Sequence, residues 1–204
     1  MKTLHYYSPN QDQLDSNPSS FEFDFRNEHF IFHTDDGVFS KKYIDYGSYA
    51  LLKAFIPTPL EGPYLDMGAG YGPIGIVLAR LFSKDAYCCE VNQRAYRLAL
   101  KNVSVNQVPV TVLNGDLYDA LPTDLRFASI VTNPPIRAGK SVVYAIYDGA
   151  FKRLLPGGEL WVVIQKKQGA PSSYDYIKER FQNCEIVARD KGYYILKAVK
   201  NKAD

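Results

Sequence analysis

The chain has 204 residues, 46% of them apolar and 23% charged, with a formal net charge of +2. These are the proportions of a globular protein able to bury a sizeable core, and the charge is too small to announce a nucleic-acid partner by itself. No run approaches the ~20 apolar residues of a membrane span. Met1 to Asn10 contains no apolar stretch, and the three cysteines, two of them adjacent (Cys88, Cys89), give neither a disulfide framework nor a metal-ligand spacing. A cytoplasmic protein without membrane or metal is expected.

From Phe21 to Phe32 apolar and polar residues alternate around a polar middle, which predicts a β-hairpin. Thr34 to Ser40 reads as a loop, and Gly47 to Phe55 as a short helix that stops before Pro57 and Pro59. Residues 1–58 are thus expected to form an N-terminal hairpin and helix extension, and residues 59–204 the main domain. His5, His29 and His33 lie in the extension without acid or cysteine partners at ligand spacing, and read as surface or hairpin residues.

From Gly62 onward short apolar runs alternate with helical patterns. Strands are predicted at Tyr64 to Met67, Ala86 to Cys89, Val110 to Leu113, Phe127 to Val131 and Leu160 to Ile164. Helices are predicted at Ile74 to Phe82, Arg94 to Val105, Val143 to Leu154 and Tyr174 to Phe181. Glu185 to Ala188 and Tyr193 to Val199 flank the turn signal Asp190-Lys191-Gly192. The pattern is that of an α/β fold: a Rossmann-like, doubly wound, mostly parallel seven-stranded sheet with a terminal antiparallel hairpin.

Asp66, next to last in the first strand of that sheet, is followed by glycines at 68, 70 and 72. Such spacing lets a strand turn sharply into a helix while the backbone approaches a ligand. A nicotinamide fingerprint G-x-G-x-x-G would place a glycine at position 73, where Pro73 suits the first turn of a helix instead. Glu90 ends the second strand 24 residues after Asp66, where a carboxylate can accept ribose hydroxyls. Asp116 follows the third strand and can accept from an adenine amine. Each acid alone is more often a solvated loop residue, but open α/β sheets bind ligands at the carboxyl ends of successive strands.

Asn133-Pro134-Pro135-Ile136 closes the fourth strand. Two prolines remove two backbone donors and fix φ twice, leaving a stiff bracket of acceptors: the Asn133 side-chain carbonyl and the Pro134 backbone carbonyl. An exocyclic base amine could donate both hydrogens there and keep its lone pair aimed at a methyl group. The plainer alternative is that Pro-Pro ends a buried strand. Lys41-Lys42, Arg137 with Lys140, and Lys166-Lys167 flank these segments, either as contacts to a phosphate-bearing substrate or as solvated faces.

The stretches Leu65 to Gly75, Glu90-Val91-Asn92, Asn114-Gly115-Asp116, Thr132 to Lys140 and Pro156-Gly157-Gly158 resemble the class I S-adenosylmethionine-dependent methyltransferases. Thr34 to Ser40, Asp45 with Gly47-Ser48, and Asn133 to Lys140 resemble, more narrowly, the small-domain 16S ribosomal RNA guanine-N2 methyltransferases. The resemblance implies that Asp66, Gly68 and Gly70 hold the amino-acid part of S-adenosylmethionine, Glu90 its ribose and Asp116 its adenine, with Ala69, Asn92, Leu117 and Asn133 completing the donor set. Asn133, Pro134, Pro135 and Ile136 would bind the target amine, and Phe39, Lys41, Arg137, Lys140 and Lys167 the substrate. Ala69 stands where a cysteine is common in the family, and the longer ribosomal RNA enzymes carry a duplicated, cofactor-free half that this sequence lacks.

Adenine-N6 methyltransferases share Asn-Pro-Pro but follow it with an aromatic residue that stacks on the base. Ile136 packs but cannot stack equivalently, which favours a guanine amine or a protein amide. Phe39 and Tyr144 are candidate replacements or simply core residues. The implied partner is RNA, ribosomal RNA or the small ribosomal subunit. A methyltransferase acting on protein glutamine or adenine N6, and a non-catalytic RNA-binding module, are the alternatives.

Overall fold

The computed structural model describes residues 16–38, 40 and 42–201. It opens with a hairpin of β1 (Ser19–Phe25) and β2 (Glu28–Thr34), in which Phe21 pairs with Phe32 and Phe23 with Phe30. Arg26 and Asn27 both adopt left-handed φ, 50° and 66°. A two-residue turn of that hand matches the twist of the strands it joins. Helix α1 (Tyr46–Ala54) follows, with Asp45 accepting the Ser48 N–H as its N-cap.

The main sheet is built from β3 (Tyr64–Met67), β4 (Ala86–Glu90), β5 (Val110–Asn114), β6 (Phe127–Thr132), β7 (Leu154–Gln165), β8 (Glu185–Asp190) and β9 (Tyr193–Val199). Their order is β5-β4-β3-β6-β7-β9-β8. The ladders from β5 through β7 are parallel, and β9 runs antiparallel to both β7 and β8. Every residue of β3 and β6 is buried, as parallel strands covered on both faces must be.

Four further helices close the layers: α2 (Pro73–Phe82), α3 (Gln93–Asn106), α4 (Lys140–Arg153) and α5 (Ala170–Phe181). The hairpin, α1 and α2 share one core with Tyr64, Trp161 and Ile195, while α4 and α5 bury the opposite face against Ile130, Leu160 and Leu196. Among the described residues no helix is long and apolar enough to cross a membrane.

The α/β architecture matches the sequence expectation, with differences of local cause. β7 begins at Leu154, not Leu160, because the glycines at 157 and 158 permit an irregularity in its pairing with β6 between Phe127 and Ser129. A Cβ on Gly158 would lie 2.9 to 3.1 Å from three carbonyl oxygens, so only glycine fits there. Helices α4 and α5 start several residues earlier than expected, α5 with Pro171 in its first turn. Three unforeseen 3-10 turns, Leu117–Ala120, Ile136–Ala138 and Lys166–Gln168, follow the carboxyl ends of β5, β6 and β7.

The hairpin is docked by two asparagines one turn apart on α3. Asn102 accepts the His33 N–H at 2.7 Å and donates to its carbonyl at 3.0 Å; Asn106 does the same to Ile31 at 3.0 and 2.8 Å. Each side-chain amide thus stands in for a strand residue and covers the free edge of β2. Asn102 Nδ2 also donates to the Tyr71 carbonyl at 2.9 Å, tying the hairpin to the turn before α2. Asn102→Ala removes these partners and leaves buried main-chain groups unpaired, which costs about 3 kcal/mol in urea unfolding. Amide exchange at Ile31 and His33 is expected to accelerate in parallel, whereas unchanged protection there would contradict this docking.

Candidate active site

A cleft of about 500 Å³ opens at the carboxyl ends of the central strands, within the range of small-molecule sites. Its floor is the turn from β3 into α2. Gly68 and Gly70 take φ of +74° and +59°, and a Cβ on Gly70 would meet nothing within 4 Å among the described residues, so the bare backbone is open there. Gly75, in the first turn of α2, has the opposite requirement: a Cβ would collide with Cys88 Sγ and lie 3.2 Å from Asp66 Cβ. Its lack of a side chain brings the helix against the sheet.

Two buried carboxylates hold this turn. Asp66 Oδ2 accepts the Gly75 N–H at 2.9 Å, and Oδ1 is buried with no partner among the described residues. Burial pushes the Asp66 carboxyl up to about 7, opposed by the Gly75 N–H and reinforced by the Glu90 charge. Glu90 Oε2 accepts from Gly70 N at 2.7 Å and Oε1 from Asn92 N at 2.8 Å. Burial raises the Glu90 pKa too, and these N–H bonds oppose it. The Val91 N–H also acts on this carboxylate, and a carboxylate's four acceptor positions leave capacity for a further donor.

The facing wall is the corner after β6. Thr132 Oγ1 donates to the Met67 carbonyl at 2.8 Å and stitches the ends of β6 and β3 together. Pro134 and Pro135 are buried, and the Ile136 N–H bonds the Pro134 carbonyl at 2.9 Å around Pro135, at φ −76° and ψ 79°. This inverse γ-turn occupies one of the two lone pairs that the sequence assigned to an amine. Pro135 Cδ lies 3.9 Å from where a Cβ on Gly68 would be, so the proline corner and the glycine turn share one cleft. Asn133 Nδ2 donates to Asp45 Oδ1 at 3.1 Å and to Ser48 Oγ at 3.2 Å.

Of the residues singled out in the sequence, Asp66, Gly68, Ala69, Gly70, Glu90, Asn133, Pro134, Pro135, Ile136 and Arg137 line the cleft. Asn92 is buried beside it, and its Oδ1 caps α3 by accepting the Ala95 N–H at 3.0 Å. Asp116, Leu117, Lys140 and Lys167 do not contribute to the lining; Asp116, Lys140 and Lys167 are exposed. Phe39 and Lys41 lie outside the described residues, as does His5, while their neighbours Val38 and Ser40 line the cleft.

Sequence reasoning gave no role to Gln165 or Tyr193, which also line it, with Gln165 Nε2 donating to Tyr193 Oη at 2.7 Å. Asp45 and Ser48 line it as well. Their signal was local: an acid three residues before a serine at a helix start.

A doubly wound sheet with a terminal antiparallel hairpin, a glycine turn between two strand-end acids and a facing Asn-Pro-Pro corner define a class I S-adenosylmethionine-dependent methyltransferase. The family model described as the methyltransferase small domain matches residues 29–197, and the chain belongs to that family. It is 46% identical over 198 residues to the uncharacterized protein YbxB of Bacillus subtilis (strain 168), covering 96% of this chain and 98% of that protein. It is 27% identical over 186 residues to ribosomal RNA small subunit methyltransferase C of Vibrio cholerae, covering 89% of this chain and 53% of the relative. The structure of the T. thermophilus 16S rRNA N2 methyltransferase RsmC in complex with AdoMet and guanosine superposes with a TM-score of 0.83 at 29% identity, covering 92% of this chain and 52% of that one. The chain therefore spans about half the length of these ribosomal RNA methyltransferases.

The raised Asp66 pKa makes a signed prediction. An unfolded aspartate ionises near 3.8 and the folded one near 7, so between these values the fold binds the extra proton. The contribution of Asp66 to stability is most favourable below pH 4, declines as pH rises and is fully lost above about 7, a total of roughly 4 kcal/mol at most. Asp66→Asn keeps an oxygen for the Gly75 N–H. In urea titrations of ligand-free protein it is expected to be more stable than the native chain at pH 8 and to show a flatter pH profile. Parallel profiles would contradict the assignment.

Proposed function

We propose that this methyltransferase transfers a methyl group to the exocyclic N2 of a guanine in RNA, and that small-subunit ribosomal RNA is the substrate. The observation that carries this reading is the meeting of Gly68 and Pro135 in one cleft, which sets a donor turn against an amine bracket.

The residues fit the donor. Asp66 Oδ1 is a buried acceptor lacking a donor, suited to the cationic amino group of the methionine part, and the open backbone at Gly70 suits its carboxylate end. Glu90 keeps acceptor capacity for a ribose hydroxyl. The Gly115 N–H bonds the Glu90 carbonyl at 3.2 Å, so Asp116 and Leu117 begin beside the ribose acid, and we assign them to adenine. Leu117 holds a φ of 47°, the kind of backbone strain that collects at ligand sites. S-adenosylmethionine supplies an electrophilic methyl group on a sulfonium.

The protein's part in transfer is placement. The Asn133 carbonyl and the second lone pair of the Pro134 carbonyl accept the two amine hydrogens and aim the nitrogen lone pair across the cleft. With the donor held by Asp66, Gly70 and Glu90, the new C–N bond would form as the C–S bond breaks, and the surplus proton would leave the nitrogen for water. No strong base is required, since the proton becomes acidic only as the new bond forms. Arg137 at the cleft mouth, with exposed Lys140 at the start of α4 and exposed Lys167 in the turn after β7, is assigned to RNA phosphates.

Ile136, which lines the cleft without an aromatic face, favours guanine over adenine. The names of the V. cholerae relative and the T. thermophilus structure support a ribosomal RNA acceptor. We place the protein in the cytoplasm, consistent with its three free cysteines.

Incubating the protein with methyl-labelled donor and separate unmodified small-subunit RNA, DNA and protein fractions tests this directly. Labelled N2-methylguanosine in the RNA nucleosides is expected, and label confined to protein or to adenine would refute it. Asn133→Ala is expected to lower turnover ~100-fold while donor affinity measured by calorimetry stays within about twofold. A collapse of donor affinity would instead place Asn133 in the donor site alone.

A further inference from the structure

A side-chain amide has an accepting end and a donating end, and only the accepting end can hold an amine. The orientation of Asn133 is therefore decisive. Its Nδ2 faces Asp45 Oδ1 and Ser48 Oγ. A carboxylate accepts and never donates, so the flipped amide would press its oxygen against the Asp45 oxygen with no hydrogen between them.

Asp45 cannot swing away to relieve that contact. The same Oδ1 accepts the Ser48 N–H at 3.0 Å as the N-cap of α1. The helix is itself pinned to the sheet: Tyr46 Oη and Lys53 Nζ both donate to Asp190 Oδ2, at 2.7 and 2.8 Å. The Tyr193 ring packs so tightly on Gly47 that a Cβ there would lie 2.7 Å from Cε1. A rigid helix start thus grips the donating end of Asn133.

We propose that Asp45, assisted by Ser48, is a positioning residue that keeps the Asn133 carbonyl turned toward the acceptor amine. The proposal rests on the assignment of Asn133 as the amine acceptor. It deepens that reading by explaining how the bracket is set before substrate arrives, so that no orientation has to be found during the reaction. A carboxylate on Nδ2 also polarises the amide and strengthens its oxygen as an acceptor.

Capping and positioning separate by substitution. Asp45→Ser retains a good N-cap but its shorter side chain cannot also reach Asn133 Nδ2. Asp45→Asn must keep its oxygen on the Ser48 N–H, and that oxygen still faces Nδ2. With unmodified small-subunit RNA and methyl-labelled donor, Asp45→Ser is expected to lower kcat ~30-fold with KM and donor Kd within about twofold and the melting temperature near native. Asp45→Asn restores kcat to within ~5-fold of native, and Ser48→Ala, which leaves the cap intact, loses ~5-fold. Native turnover in Asp45→Ser, or equal losses in Asp45→Asn and Asp45→Ser, would overturn the positioning role, the latter by showing that charge alone matters.

A second readout is independent of the acceptor. The Asn133 side-chain amide, identified by its loss in Asn133→Ala, is expected to give one sharp pair of ¹⁵N–¹H peaks in the native protein and in Asp45→Asn, and a shifted or doubled pair in Asp45→Ser. If Asp45→Ser does not fold, Ser48→Ala is read the same way. If the native protein leaves the RNA unmethylated, the functional reading fails by itself. An unchanged pair in these variants overturns the positioning role.

Discussion

The geometry of this molecule turns on two carboxylates held out of water at the ends of adjacent strands. Burying a carboxylate is costly unless N–H groups meet it. Asp66 and Glu90 are met by backbone, at Gly75, Gly70 and Asn92. Because these partners all belong to the turns that follow β3 and β4, satisfying the acids also shapes the loop. Gly75 lets α2 come close enough to Cys88 for the Asp66 bond to form. Among the described residues one oxygen of Asp66 is left without a partner, and its burial carries an electrostatic cost.

The N-terminal elements do more than precede the sheet. The hairpin is latched by Asn102, which also holds the Tyr71 carbonyl in the glycine turn, so the floor of the cleft and the hairpin share a hydrogen-bonded residue. Helix α1 supplies Asp45 and Ser48 to the wall and packs against Tyr193 of the antiparallel strand. Phe30 and Phe32 of the hairpin lie in one core with Ile74 of α2 and Trp161 of β7. The cleft is therefore assembled from both ends of the chain, with the parallel strands as its rigid base.

Much of this was legible in the sequence where the governing contacts are short-range. The span from Asp66 to Gly75 contains its own turn chemistry, and Tyr64 to Met67 and Tyr193 to Val199 form strands residue for residue as their patterns predict. What stayed hidden depends on partners far along the chain. Asn133 meets Asp45 across 88 positions, and Asn102 meets His33 across 69. Polar residues such as Asn102 and Asn106 on an amphipathic helix read as a solvent face, and only the docked hairpin shows that they are buried. Pro156, Gly157 and Gly158 argue against a strand, yet β7 runs through them because glycine admits the carbonyls of a bulged ladder. The strand-end acids divide instructively: Asp66 and Glu90 face the cleft, whereas Asp116 sits one loop further out, since its position follows from the 3-10 turn after β5 and not from the strand itself.

The central claim is that one cleft holds a methyl donor on the glycine turn and an amine on the proline corner. A crystal structure with S-adenosylhomocysteine and guanosine tests it most directly. The account predicts the amino-acid end of the first ligand against Asp66 and Gly70, and the guanine amine on the Asn133 carbonyl, with the N2 nitrogen about 5 Å from the sulfur, room for a methyl carbon bonded to sulfur and ~3–3.5 Å from the nitrogen. Guanosine bound away from Asn133, or the donor product seated anywhere other than the turn between Asp66 and Gly75, would contradict it.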